Sequence, residues 1–172
     1  RLAVKGRWPG PAKPQAITID HMDDVLQALS DKIRKAVDRG RALRIRGGGS
    51  KDFYGQDLHG ELLDVRPLAG VVAYEPSELV VTVRAGTRLR DLEAALAEAG
   101  QCLPFEPPRF GTGGTVGGMV AAGLSGPARA SVGAVRDYVL GVQMLNGRGQ
   151  LLTFGGQVMK NVAGYDVSRL MA

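Results

Sequence analysis

The chain has 172 residues, enough for one good core or two small subdomains sharing one. Its 25 glycines are about twice the roughly 7% share of ordinary proteins, yet 44% of the residues are apolar and the glycines keep no collagen-like period, so a folded protein with glycine-built loops is expected. A net charge of +5 favours an anionic partner such as a phosphate-bearing ligand, nucleic acid or an acidic lipid surface, while a single cysteine, Cys102, excludes an intrachain disulfide and a thiolate zinc cluster.

Residues 1–16, RLAVKGRWPGPAKPQA, combine three prolines with several cations and no periodicity. They read as a loose lead-in pinned by Trp8, and residues 17–172 are expected to form the folded domain. Asp20 is placed to cap a helix whose apolar positions Val25, Leu26, Leu29, Ile33, Ala36 and Val37 recur at three- and four-residue steps, with Gly40 as its stop. The run ALRI then reads as a strand and feeds RGGGSKDFYG. ELLDV and VVAYE predict short strands, and LVVTVRA alternates as a third. Thr87 is placed to cap the helix RLRDLEAALAEAG, whose Leu89, Leu92, Ala95, Leu96 and Ala99 share a face and whose Gly100 ends it. Past a second glycine-rich region, residues 111–126, YVLGVQML and QLLTF flank NGRG and predict a hairpin. MKNVAGYDVSRLMA reads as a loop entering a helix. This order predicts an α+β chain of two small subdomains.

The chain opens at Arg1 and stops at Ala172 just as SRLMA reads as a helix beginning, so a piece of a longer protein is expected. The longest weakly charged run, residues 112–127, is too short and too rich in glycine to span a bilayer. With no visible signal peptide, the cytosol is the default location.

Three stretches carry the chemistry. In RGGGSK, successive glycines can turn backbone N–H groups into one concave nest that binds phosphate; Ser50 adds a hydroxyl, and Arg46 and Lys51 add positive charge. A flexible strand-to-loop connection explains the same glycines equally well. A Walker A loop is absent because GSK stands where GK[ST] is required, and GTGGTVG places its last glycine one residue late for the Rossmann fingerprint. In FGTGGTVGGMVAAGLSGP, the small residues Gly117, Gly118, Ala121, Ala122 and Gly123 let another body approach the backbone, with Thr112 and Thr115 able to cap it; tight helix-on-strand packing is the competing explanation. The third stretch, KNVAGYD, sets a glycine before an aromatic ring between Lys160 and Asp166.

The order RGGGSK, TVGGMVAAGLSGP, SVGAVRDYVLGVQMLNGRGQ and MKNVAGYDVSRLM resembles the FAD-binding domain of the vanillyl-alcohol oxidase and p-cresol methylhydroxylase type of flavoprotein. Within that family, LVVTVRAGTRLRDLEAAL, VRDYVLG and FGGQVMKNVAGYDVSRLM are similar to the FAD-binding E subunits of bacterial glycolate oxidase (glycolate dehydrogenase) complexes, and the likeness runs from about residue 45 to 171. The resemblance implies an α+β fold of two subdomains with FAD in the cleft between them. It implies that Gly47, Gly48, Gly49, Ser50 and Lys51 wrap the FAD pyrophosphate. Gly113, Gly114, Thr115, Gly117 and Gly118 would complete the diphosphate and ribityl site, Ala121, Ser125 and Gly126 would approach the flavin ring, and Val142 would line the adenine side. Relatives with covalent flavin often carry a histidine in or near the first loop; none stands there in this chain, so non-covalent FAD is expected. Two departures stand out: Met119 replaces a common asparagine after the GG pair, and Leu124, Ser125 and Gly126 replace an AGG-like run.

The activity implied is oxidation of glycolate to glyoxylate, with electrons passed to a membrane acceptor through a complex holding a second flavoprotein subunit and an iron–sulfur subunit. Peripheral association with the inner face of the cell membrane would follow. The family's substrate and catalytic residues sit largely in a C-terminal cap domain, so no catalytic residue is assigned here; Tyr54, His59, Arg109 and Tyr165 read as structural or flavin contacts. Rival readings are an FAD-linked dehydrogenase for D-lactate or another 2-hydroxy acid, and an accessory assembly subunit with a vestigial site. A nucleic-acid module, suggested by Lys32, Arg34, Lys35, Arg39, Arg41 and Arg44, is disfavoured by 5% aromatic content and no recognisable fold signature.

Overall fold

In the computed structural model, which describes residues 2–3, 19–155 and 167–172, the first long element is helix α1, Ile19–Asp38. Leu29, Ile33 and Ala36 recur at four- and three-residue steps and are buried, whereas Val37 faces solvent. Asp20 lies inside this helix rather than at its cap, because the helix already begins at Ile19. The chain leaves α1 through Gly40 at φ +59°, a left-handed conformation that a side chain would strain.

Strand β2, Leu43–Arg46, pairs in parallel with β3, Glu61–Asp64. The connection between them, residues 47–60, carries the first glycine stretch. Strands β4, Val71–Glu75, and β5, Val80–Val83, pair antiparallel across a tight turn at Pro76–Glu78. A two-residue strand β1, Leu2–Ala3, adds to the other edge of β5, so part of the segment expected as a loose lead-in is paired; Trp8 lies outside the described residues.

Helix α2, Leu89–Glu98, buries Leu89, Leu92, Ala95 and Leu96 as its periodicity predicts, and Gly100 at φ +67° ends it. Thr87 does not cap it. Arg88 occupies that position without a side-chain bond, while the Thr87 hydroxyl accepts from Gly70 N at 2.9 Å and donates to Gly70 O at 3.3 Å. Thr87 therefore ties the start of β4 to the approach to α2. Two short helices follow, α3 at Val116–Ala122 and α4 at Arg129–Val132.

The predicted hairpin is present: β6, Gly141–Leu145, pairs antiparallel with β7, Leu151–Gly155. Its turn is held by Asn146, whose side-chain oxygen accepts from Arg148 N at 2.9 Å and Gln150 N at 3.0 Å. Ser30 of α1 donates to Gly149 O at 2.6 Å, docking the helix against that turn. Helix α5, Val167–Leu170, closes the described chain.

The apolar residues form two buried clusters. One gathers Val81, Leu92, Leu96, Phe105, Val116, Met119 and Val135; the other joins Leu29, Ile33 and Leu63 with Leu43, Leu68 and Leu145. The second glycine-rich stretch supplies Val116 and Met119 to the first of these clusters.

Candidate functional site

The first loop is pinned to its own strand. Arg46, the last residue of β2, donates from Nε to Asp52 Oδ2 at 2.7 Å, and its Nη2 stands 2.5 Å from the same oxygen. Asp52 N in turn donates to Gly49 O at 3.1 Å. Gly49, at φ +69°, lies so close to the Arg46 guanidinium that a Cβ there would collide with it. The Arg46 hydrogen bond holds the Asp52 carboxyl below the usual carboxylate range, and Asp52 raises Arg46 in return. The positive charge expected from Arg46 is thus tied to Asp52. Lys51 pairs with no carboxylate among the described residues; its ammonium stands 5.9 Å from the centroid of the Phe110 ring.

The second loop meets the first backbone to backbone. A Cβ at Gly48 would stand 1.3 Å from the Gly113 carbonyl oxygen, and one at Gly113 would stand 2.5 Å from Gly48 O. At Gly47 it would reach 2.6 Å from Thr115 Oγ1. No side chain fits at Gly48 or Gly113 without separating the loops, and one at Gly47 would displace the Thr115 side chain. The second loop is itself anchored, since Leu89 N donates to Gly114 O at 2.9 Å and Val116 N to Thr87 O at 2.8 Å. Thr115 caps α3 by accepting from Gly118 N at 3.2 Å. Among the described residues, the backbone N–H groups of Gly48, Gly49, Ser50, Lys51, Gly113 and Gly114 donate to no acceptor. Backbone donors without a protein partner need water or a ligand, so a concentration of them where two loops converge is what an oxyanion requires.

Beside this junction lies a cavity of about 150 Å³, lined by Ser50, Lys51, Arg90, Phe110, Thr112, Gly114, Met119 and Leu124 among others. Its lining combines apolar side chains with cationic and hydroxyl groups.

The remaining expected site residues divide. Gly118 and Ala121 are on the exposed side of α3. Gly117 packs α3 against the end of β5: its N–H donates to Ala85 O at 2.8 Å, and a Cβ would stand 2.8 Å from Ala85 Cβ. Ser125 is buried, donating to Gly123 O at 3.2 Å and accepting from Val135 N at 3.0 Å. Gly126, at φ +74°, abuts the Glu106 carbonyl. Val142 sits on β6 opposite Phe154 and is not among the residues lining the cavity beside the junction. Arg109 is paired with Glu93 at 2.6 Å, Tyr54 and His59 are exposed, and Lys160, Tyr165 and Asp166 lie outside the described residues. Sequence reading missed Asp52, Phe53 and Phe110, although an acid and two aromatic rings flanking glycine loops were a signal that could have found them.

The family model for an FAD binding domain matches residues 24–155. The chain is 53% identical over 148 residues to the glycolate oxidase subunit GlcE of Escherichia coli (strain K12), covering 86% of this chain and 42% of that protein. It is 26% identical over 151 residues to the glycolate oxidase subunit GlcD of Bacillus subtilis (strain 168), covering 88% and 31%. Against the mitochondrial D-lactate dehydrogenase [cytochrome] of Arabidopsis thaliana it is 28% identical over 143 residues, covering 81% and 25%. The chain thus spans less than half the length of these relatives. Its fold is similar to that of Phl p 4, a grass pollen allergen with glucose dehydrogenase activity, at a TM-score of 0.63 and 18% identity over 74% of this chain and 27% of that one. The chain belongs to the family of FAD binding domains, and FAD is its cofactor. The residues present fit that group: unpartnered backbone donors for a pyrophosphate, a junction that admits no Cβ, and a lysine free of a carboxylate partner among the described residues.

Proposed function

We propose that this chain, as a member of the FAD-binding domain family, holds the flavin in a 2-hydroxy acid dehydrogenase complex that oxidises glycolate to glyoxylate. The carrying observation is the junction of Gly48 with Gly113, where two backbones touch and six neighbouring N–H groups have no acceptor among the described residues. Those groups would hold the pyrophosphate, with Ser50 and Lys51 adding a hydroxyl and a positive charge. The likeness to GlcE supports glycolate as the substrate, and the likeness to GlcD supports assembly with a second flavoprotein subunit. The resemblance of the motifs further supports an iron–sulfur subunit, a membrane acceptor and a place on the inner face of the cell membrane; among the described residues no helix is long and apolar enough to cross a membrane.

Bound FAD supplies the hydride-accepting chemistry for oxidation at the carbon bearing the substrate hydroxyl. The protein's part is to bind and orient. The Arg46–Asp52 pair shapes the first loop before any ligand arrives, so less ordering is required on binding. Thr115 and the bonds of Leu89 and Val116 do the same for the second. Leu89, Met119 and Leu124 give the neighbouring cavity an apolar wall that limits water. The exposed face of α3, with Gly118 and Ala121, offers a backbone that a flat ring can approach, while Gly117, Ser125 and Gly126 would support it from behind and Val142 would line the adenine side. No described side chain is assigned a catalytic role. Neither loop carries a histidine, so the flavin is held without a covalent bond.

The likeness to a D-lactate dehydrogenase favours a second reading, oxidation of D-lactate or another 2-hydroxy acid by the same device. The first test is the visible spectrum of the purified chain after reconstitution with FAD and removal of the excess. A flavin spectrum that moves to the supernatant on acid denaturation is expected. A well-folded, colourless protein would mean either that the rest of the protein closes the site or that the role is assembly, and repeating the spectrum on the full-length protein decides which. Dye reduction by the full complex with glycolate against D-lactate then separates the two substrates.

A further inference from the structure

The two loops touch at a second place. Phe53, just after the first loop, and Phe110, just before the second, bring their ring centroids to 5.1 Å with planes at 69°, an edge-to-face pair. Neither ring is part of a buried cluster: Phe53 is 69% exposed and Phe110 42% exposed. A structural core would not place two phenylalanines in solvent; their contact is with each other across the loop junction. Lys51 stands over the Phe110 ring at 5.9 Å, within the range of a cation–π contact, and both line the cavity beside the junction. The neighbouring cations are differently placed. Arg46, Arg90 and Arg109 pair with Asp52, Asp91 and Glu93, whereas Lys51 has no carboxylate partner among the described residues.

We propose that Phe53 and Phe110 form an aromatic latch across the two loops, and that Phe110 positions the Lys51 ammonium at the junction for a phosphate-bearing ligand. The latch closes the loops upon the ligand and slows its release. Phe53 and Phe110 are positioning residues; Lys51 is the group that meets the anion. This inference rests on the proposed FAD site for the ligand's identity, while the latch itself is a contact within the chain.

The test uses the whole 172-residue chain. Stopped-flow release of FAD, followed by flavin fluorescence, is compared for the parent protein, Phe110→Leu, Phe53→Leu, the double variant and Phe110→Tyr. Loss of an edge-to-face pair should speed release by about three- to tenfold in either leucine variant, because apolar character is kept while the ring and its quadrupole are removed. The double variant should be little worse than either single one, and Phe110→Tyr should stay close to the parent. FAD affinity should also weaken less steeply with salt in Phe110→Leu than in the parent, approaching the slope of Lys51→Met. Parental release rates, or strictly additive effects with an unchanged salt slope, would overturn the proposal.

Amide hydrogen exchange on the ligand-free chain separates the latch from the FAD reading. Phe110→Leu should raise exchange across residues 49–52, on the opposite loop, about threefold or more while amides of α2 stay protected. If neither the parent chain nor the full-length protein binds FAD, the cofactor reading fails and the exchange result alone decides the latch. Unchanged exchange in Phe110→Leu overturns it.

Discussion

Residues 47–51 with 113–115, and residues 117–126, are alike in glycine content and differ in what their missing Cβ atoms make room for. At Gly48 and Gly113 the missing Cβ lets two backbones meet, and the N–H groups around them have no acceptor among the described residues. At Gly117 and Gly126 the missing Cβ lets α3 and its exit pack against Ala85 and Glu106, and the Gly117 N–H already has a partner in Ala85 O at 2.8 Å. Glycine content alone therefore cannot tell a ligand nest from tight packing. At Gly117 the fold consumes the N–H, whereas at Gly48 and Gly113 it is left without an acceptor among the described residues.

The sharpest way to break this contrast is Gly48→Val. Its Cβ would stand 1.3 Å from a backbone oxygen, which no side-chain rotation can relieve. FAD affinity should fall about 100-fold or more, equivalent to roughly 3 kcal/mol. Because neither buried cluster includes residues 47–51, the far-UV circular dichroism should stay unchanged. Retained affinity in a fluorescence titration would remove the junction as the cofactor site.

Gly126→Ala probes the other half. The added Cβ would meet Glu106 O at 2.1 Å, and φ +74° strains any side chain. Unfolding in urea should show a loss of about 2–3 kcal/mol, with FAD affinity of the folded fraction nearly parental. An intact stability with lost FAD would reassign Gly126 from packing to ligand contact. Gly118→Leu falls between the two. Gly118 faces solvent and its Cβ would meet only Thr115 Oγ1, at 3.1 Å, so the fold should survive with a change within about 1 kcal/mol. A drop in FAD affinity would then place the exposed face of α3 against the cofactor, and parental affinity would leave that face free.

The local elements were legible because each rests on short-range physics. The apolar steps of α1 and α2, the alternation in β5 and the Asn-Gly turn of the hairpin all appear where the pattern places them. The caps were less legible. Thr87 and Thr115 are the same residue type before a helix, yet Thr115 bonds Gly118 N and Thr87 bonds Gly70, because the bend that reaches Thr87, just before β4, comes from 17 positions away. The two glycine loops could be suspected singly, but their contact joins residues 48 and 113, a pairing no local signal encodes. Ser125 shows the converse: its position in a glycine-rich run suggested a ligand donor, and the fold uses its hydroxyl to bind Val135 N. Asp52 escaped notice because only the folded loop brings it back to Arg46.

That last pair gives the smallest expected effect and a defined pH dependence. Arg46 depresses the Asp52 carboxyl, so the pin contributes above the ordinary carboxylate value of about 3.9 and is lost as pH falls through the lower folded value. Exchange at residues 49–52, corrected for intrinsic rates, should accordingly stay flat from neutral pH to about 4 and rise only below it. Asp52→Ala should show the loosened loop at every pH, with FAD release faster by about twofold or less, since both partners are exposed and such pairs are weak. Flat exchange in the parent below pH 3, or a normal loop in the alanine variant, would mean that the contact between Gly48 and Gly113 shapes the first loop without help from its charged pair.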